Sequence, residues 1–354
     1  MVEALSLRDY RSYARLELSL AQGLVLAVGP NGAGKTNLLE SLHVATQGFS
    51  PRTRSDAQLI RFGEEGARIG LAGEHGGAPV GVELTLRFGE AKRAKLNGAP
   101  LRAAEELRTR LPTLVFTPDR LAIVKGGPAV RRAYFDRTLG RLFPSRSGAA
   151  TDYAAALAQR NGAIRRIAAG VSTREALAPW TSRVAELGQK LVVARRELVE
   201  LLSPAFAAAA AELRLEGGEL RYEGEPAGEE QLDARLEQDL ARGFTGLGPH
   251  LHDVAILAGG RDLRSFGSQG EQRLAVLSLL LAETDLLVQR GPAPPLLLLD
   301  DVLSELDPER RQILAGRLRT PGQQAFLTAT STGALPSSPD VLVEVVPGKA
   351  EVVS

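Results

Sequence analysis

Residues 29–36 read Gly-Pro-Asn-Gly-Ala-Gly-Lys-Thr and fit the pattern G-x-x-x-x-G-K-[ST] at every position. An apolar run, Leu24 to Val28, precedes the glycines, and a helical pattern through Asn37, Leu38, Leu39, Ser41 and Leu42 follows them. Strand, glycine-rich turn and helix in that order make a cradle for phosphate. Glycines let successive N–H groups turn inward, and the positive end of the helix adds a favourable field. Lys35 supplies a point charge to the outer phosphates, and the Thr36 hydroxyl is a ligand for magnesium. Gly29, Pro30, Asn31, Gly32, Ala33, Gly34, Lys35, Thr36 and Asn37 are therefore the expected binding segment for ATP, with magnesium as the accompanying ion.

The complement of this segment lies at the other end of the chain. Leu296 to Leu299 is a buried strand that ends in two carboxylates, Asp300 and Asp301. Opposite a phosphate loop, Asp300 is expected to hold magnesium directly or through water, and Asp301 to orient or deprotonate an attacking water. The bland alternative for Asp301 is a cap or a solvated turn. Thr36 and Asp300 stand 264 residues apart, so the fold has to return the end of the chain to its beginning.

Composition limits the remaining choices. The chain has 354 residues, of which 44% are apolar and 24% charged, with a net charge of +1. That suits a globular protein of more than one domain. Any contact with nucleic acid has to come from local basic patches. No cysteine is present, which excludes disulfides and thiolate chemistry. The apolar run Pro294 to Leu299 is far shorter than the roughly 20 residues of a membrane span. A cytosolic location without a membrane partner is expected.

Three regions follow from the pattern. Residues 1–115 carry the phosphate loop and a meander of strands over 67–97, with turns at Gly76-Gly77 and Asn97-Gly98. Residues 116–245 are mainly helical. In them Leu177, Trp180, Val184, Leu187, Leu191, Ala194, Leu198 and Leu201 recur at alternating steps of three and four. This is the seam of a short coiled-coil-like arm, or equally the inner face of an amphipathic helix packed on a core. Residues 246–354 return to the first lobe. The expected fold is α/β, an ATPase head with a Rossmann-like lobe and a smaller helical lobe.

Two further segments narrow the class. Ser304-Glu-Leu-Asp307 follows the paired carboxylates, and Ser268-Gln-Gly270-Glu-Gln-Arg273 precedes a helix. Read alone, the second is an ordinary helix cap. Together they resemble the D-loop and the signature motif of ABC-type ATPases. In that family Ser268 and Gly270 would meet the γ-phosphate of ATP held by a second copy, so the resemblance implies an ATP-dependent homodimer.

The split between the two motifs, with a helical insert, resembles the SMC-like repair ATPases. Within them the chain is similar to the RecF family of bacterial recombination mediators over nearly its whole length. The resemblance rests on Arg8-Asp-Tyr-Arg-Ser-Tyr13, Gly29–Glu40, Ser50-Pro-Arg-Thr-Arg54 with Leu59-Ile60-Arg61, and Phe116-Thr-Pro-Asp119. It continues through Gly127-Pro128 with Arg131-Arg132 and Phe135-Asp136, Gly248-Pro249-His250, Ser268–Arg273 and Leu299–Asp307. It implies DNA binding at duplexes and gap junctions, weak DNA-dependent ATP hydrolysis, RecO- and RecR-type partners and assistance in loading the RecA recombinase. A nucleotide-gated scaffold, or an ATPase subunit whose main role is not DNA binding, is the competing reading.

The sequence departs from the family pattern at three places. The usual Gly-Pro-His-Arg-Asp-Asp appears as Gly-Pro-His250-Leu251-His252-Asp253. Aspartate, not the glutamate of transporters, follows Asp300. No histidine matches the transporter switch, and Thr328 or Thr330 is expected near the γ-phosphate in its stead. His250-x-His252 is half of a metal site at most, and a structural role is the better expectation. Arg52 and Arg54, the run Lys92-Arg93-Ala94-Lys95, and Arg131, Arg132, Arg137 and Arg141 are candidate contacts to nucleotide or DNA phosphates.

Overall fold

The computed structural model describes residues 1–291 and 293–353, apart from the side chains of Glu105 and Thr109. The chain divides into two units. One holds Met1–Arg120, Glu212–Arg214 and Leu279–Ser354, and the other Leu121–Ala211 and Leu215–Ser278.

The first unit begins with a hairpin, β1 (Val2–Tyr10) and β2 (Tyr13–Ser19), joined through Arg11 and Ser12. Strand β3 (Leu24–Val28) is buried at every residue and feeds the phosphate loop and the helix Lys35–Gln47. The meander follows as β4 (Gly66–His75), β5 (Ala78–Arg87), β6 (Arg93–Leu96) and β7 (Ala99–Pro100). These strands add to the hairpin in the order β2-β1-β4-β5-β6-β7, all antiparallel. The sheet alternates cleanly. Leu5, Leu7, Leu16, Leu18, Ile69, Leu71, Val82, Leu84 and Ala94 are buried on one face, and the residues between them are mostly polar. Strand β8 (Thr113–Phe116) closes this stretch.

The second unit combines helices with a small sheet. Helices span Pro128–Leu142, Ala149–Ala168 and Ala178–Glu212. Strands β9 (Glu219–Glu223), β10 (Asp253–Ala258) and β11 (Arg261–Asp262) pair antiparallel. The pairing of β10 with β9 carries residues 246–278 into this unit, whereas the sequence pattern assigned them to the first lobe. Backbone pairing decides the matter, because β10 is buried along almost its whole length and needs a partner for its ladder.

The seam of the 178–212 helix is used within the unit. Val184 and Leu191 pack with Tyr153 and Ala156 of the 149–168 helix and with Leu232. Ala185, Val192, Arg195, Val199 and Leu202 are buried beside the seam positions. A buried stripe of that width belongs to an amphipathic helix on a core; a two-position coiled-coil seam is narrower. Arg160 and Asp239, both fully buried, pair at 2.9 Å in this unit, and Arg160 also bonds the hydroxyls of Thr181 and Thr245.

The chain then re-enters the first unit along the helix Gln269–Arg290, whose residues 269–278 belong to the second unit. Strands β12 (Leu296–Leu299), β13 (Ala325–Ala329), β14 (Val341–Val346) and β15 (Lys349–Val352) complete a sheet ordered β15-β14-β3-β13-β12-β8. All its pairs are parallel except β14 with β15. Strand β15 was not read from the sequence, because Lys-Ala-Glu-Val is short and mostly polar. The order puts β13 between β3 and β12, so the ends of three neighbouring strands face one crevice, where doubly wound sheets bind ligands.

Replacing Asp239 by Ala leaves the Arg160 guanidinium buried without a counter-charge. Such a break costs about 3–5 kcal/mol. A lower urea midpoint of the transition that includes the helical unit is the expected result.

Candidate functional site

The crevice is built at the carboxyl ends of β3, β13 and β12. Beyond β3 the chain turns through the glycines. A Cβ on Gly29 would stand 2.1 Å from the carbonyl oxygen of Val345, so no larger residue fits between the loop and β14. Gly34 has φ +114° and caps the helix, and a side chain there would also strike the Tyr13 hydroxyl at 2.9 Å. As glycine is the cap, no side chain accepts from the first turn of this helix. Those N–H groups form the end of a 13-residue helix and suit an anion.

Lys35 is buried, and its amine donates to the carbonyl oxygens of Gly29 at 2.6 Å and Pro30 at 3.0 Å. Burial pushes its pKa down, and the nearby carboxylates of Asp301 and Asp300 oppose that shift. The amine therefore sits within the loop, with negative charge on its far side.

Asp300 is buried at the end of β12. The hydroxyls of Thr36 and Thr328 both donate to its Oδ1, at 3.1 and 2.7 Å. Burial raises its pKa, the two threonine bonds and Arg52 lower it, and Asp301 raises it slightly. A hydroxyl oxygen beside a carboxylate is the donor set of a hard cation, so Thr36 and Asp300 fit magnesium by chemistry. Thr328 is thus found at Asp300, while Thr330 is exposed beyond the strand end.

Asp301 takes the left-handed conformation, φ 51°. Its N–H donates to the Thr328 hydroxyl at 2.9 Å, and its carbonyl accepts from Ser304 at 2.9 Å. Aspartate tolerates that region better than most residues. The cap reading of Asp301 is met in part, since it precedes the short helix Val302–Glu305 without a side-chain cap bond. Its carboxylate remains free of that duty.

The motifs at residues 8–13 and 50–54 converge on Glu40, which the sequence reading did not single out. Glu40 lies on the phosphate-loop helix and is fully buried. Arg11 forks onto both its oxygens at 2.9 Å, Ser50 donates to it at 2.6 Å, and Arg52 stands 3.6 Å away. Arg52 also donates to the Asn37 amide oxygen at 3.2 Å, and Asn37 donates to Ser12. A glutamate inside a helix reads as solvated, and only the packing of two distant loops reveals this one as a hub.

The signature segment lies in the second unit. Ser268 is exposed and forms a capping box with Glu271: its N–H donates to Glu271 at 2.7 Å, and its hydroxyl accepts from the Glu271 N–H at 3.2 Å. These bonds also hold the Glu271 carboxyl below its usual pKa. Gly270 leaves the surface beside this helix end open, its nearest neighbour being the Ser268 hydroxyl at 4.0 Å.

Several expected phosphate contacts have other duties. Arg131 is buried and forks onto Asp253, with Nε 2.7 Å from Oδ1, and also donates to the Val124 and Gly126 carbonyls. Arg132 donates to the His252 carbonyl at 2.7 Å. The Arg131 guanidinium, so enclosed, cannot reach a phosphate at the surface, while Arg132 is only half-buried. Arg141 donates to Thr138, whereas Arg137 is exposed. Lys92 pairs with Asp56, whereas the pairs of Arg93 with Glu90 and Lys95 with Glu83 are exposed and weak, and leave both side chains open to another anion.

The two histidines serve the same region of the second unit. His250 uses both ring nitrogens, on the Tyr153 hydroxyl at 2.7 Å and the Thr245 carbonyl at 3.0 Å. His252 bonds the Tyr222 hydroxyl at 2.7 Å, and burial with nearby arginines pushes its pKa down to about 4. Neutral imidazoles committed to different tyrosines brace the Gly-Pro-His loop and do not converge on an ion.

Parallel sheet, phosphate loop and paired carboxylates define the head of an ABC-type ATPase. The RecF/RecN/SMC N terminal domain family matches residues 1–353. A DNA replication and repair protein RecF from Heliobacterium modesticaldum is 36% identical over 342 residues, covering 93% of this chain and 92% of that protein. Another from Anaeromyxobacter dehalogenans is 38% identical over 348 residues, covering 92% and 91%. A solved structure of the recombination mediator protein RecF with ATP, in the RecFOR pathway, is 27% identical, covers 100% of this chain and 97% of its own, and superposes with a TM-score of 0.88. An Smc head bound to the C-winged helix domain of ScpA shares the fold at a TM-score of 0.62 and 17% identity. The chain belongs to the RecF family. No helix among the described residues is long and apolar enough to cross a membrane.

Glu40→Ala would leave Arg11 and Arg52 facing each other across an empty position. Lost charged hydrogen bonds of this kind cost about 2–3 kcal/mol. A urea titration should record that loss, and Glu40→Gln should recover part of it.

Proposed function

We propose that this chain is an ATP-gated DNA clamp of recombinational repair. Two copies close on two ATP molecules with magnesium, bind duplex and gapped DNA, and separate after slow, DNA-dependent hydrolysis. Lys35 and the first-turn N–H groups hold the phosphates, Thr36 and Asp300 hold magnesium, and Asp301 positions the attacking water. Ser268 and Gly270 of the second copy present an exposed helix N-terminus to the γ-phosphate. Asp301 reaches less far than a glutamate would, which favours slow turnover. By likeness to the RecF structure of the RecFOR pathway, RecO- and RecR-type proteins are the partners and RecA loading at gaps the outcome.

The observation that carries this reading is the shared contact of Thr36 and Thr328 with Asp300 beside the Lys35 loop. It joins both motifs of an ATPase at one crevice.

The reading is tested by mass in solution with and without ATP. Lys35→Met should abolish the ATP-driven rise in mass, and unchanged dimerisation would overturn the gate. Ser268→Arg should bind ATP normally and remain monomeric; weak ATP binding in that variant would show that Ser268 acts within its own copy.

A second test uses pH. Magnesium needs the ionised carboxylate, and burial already raises the pKa of Asp300. Thr328→Val removes the strongest opposing hydrogen bond, so the Asp300 pKa rises further. The acid limb of the Mg·ATP affinity profile should therefore move to higher pH, and isothermal titration across a pH series would read it.

A further inference from the structure

The outer face of the antiparallel sheet carries an arrangement that the ATPase reading leaves unused. Cross-strand partners place Arg15 opposite Arg8, Arg8 opposite Arg68, Arg68 opposite Thr85, and Thr85 opposite Arg93. Directly opposed residues share a face. The row thus sets four arginines across β2, β1, β4, β5 and β6, a span of about 19 Å at the usual strand spacing. All four are exposed, while Leu7, Leu16, Ala67, Ile69 and Ala94 beside them are buried.

Like charges directly opposed destabilise a sheet. Here three arginines follow one another on adjacent strands. The acids of this face meet the row at its two ends, Glu17 with Arg15 and Glu90 with Arg93 and Arg87, while Glu83 pairs with Lys95. Asp9 lies 3.7 Å from Arg8. Arg68 has no carboxylate within ion-pair distance among the described residues. The flanking row is small at its centre, with Ser6 opposite Gly70, so nothing large covers Arg8 and Arg68. An open cavity of about 610 Å³ lies over them, lined also by Arg87, Thr85 and Phe88 and by the carboxylates of Asp9, Glu65 and Glu90.

We infer that the row Arg15, Arg8, Arg68 and Arg93 binds the phosphodiester backbone of duplex DNA. The inference rests on the DNA-clamp reading and adds the surface that reading lacks. Charge complementarity selects the occupant. Arginine forks match phosphate oxygens, and a polyanion relieves the repulsion at the centre of the row, where Arg68 opposes Arg8. The row itself contains no aromatic residue, as stacking on unpaired bases would require.

The test is binding of a labelled blunt duplex, and of a single strand of equal length, with ATP at several salt concentrations. Arg8→Glu/Arg68→Glu should weaken duplex binding about tenfold or more at physiological salt and reduce the slope of log K against log salt by about 2. Its ATP-driven change in mass should match the parent's, which reports intact folding. Arg68→Lys should keep most of the slope. Arg68→Gln should raise the melting temperature at low salt, as expected when a repelling charge is removed.

Unchanged duplex affinity and slope in the double variant, with a parent that binds duplex, would overturn the row and leave the clamp standing. Loss confined to the single strand would overturn the duplex assignment. A parent that binds neither nucleic acid would bring down the clamp reading and the row with it.

Discussion

One buried oxygen holds the nucleotide crevice in register. Asp300 Oδ1 receives hydroxyl bonds from Thr36 on the phosphate-loop helix and from Thr328 at the end of β13. These three residues come from segments that share no sequence neighbourhood. Their carboxyl-end strands, β3, β13 and β12, are parallel and adjacent, so the sheet sets the distances and the threonines fix the carboxylate. The same threonine then accepts the N–H of Asp301 and holds that residue in a left-handed conformation. A displacement of β13 would therefore reach Asp300 and Asp301 together.

Buried charge serves as framework in both units. Glu40 ties the β1–β2 turn and the 50–54 loop to the phosphate-loop helix, and Arg11 sustains a left-handed φ of 51° within that tie. In the second unit Arg160–Asp239, Arg195–Asp136 and Arg131–Asp253 are comparable pairs. Such pairs add little net stability over apolar packing, yet breaking one leaves a charge stranded in a poorly polarisable interior. They specify which loops meet. Arg131, which resembles a DNA contact when read as a charge, is in fact a member of this framework.

The phosphate loop and the strand that ends in acids were legible because each is local. Gly29–Thr36 declares itself through spacing, and Leu296–Asp301 through an apolar run that ends in acids. The strand meander over 67–97 was legible for the same reason, since alternation and turn residues are short-range. Tertiary partners decided what stayed hidden. The seam from Leu177 to Leu201 fits an arm or a core helix equally well, and burial of Ala185, Val192 and Val199 beside it settled the matter. Residues 246–278 joined the second unit through the ladder between β9 and β10, a pairing no local pattern encodes.

The sequence alone determined the chemistry: which residues can turn a backbone around phosphate, which can ligate magnesium, and which helix start can receive an anion. Those properties belong to side chains and short spacings, and they travel with the chain. The tertiary structure alone decided which charges are spent inside and which are presented outside. Burial and strand register are properties of the whole packing. They enclosed Arg131 and Glu40, and they lined up Arg15, Arg8, Arg68 and Arg93, from four different strands, on one exposed face.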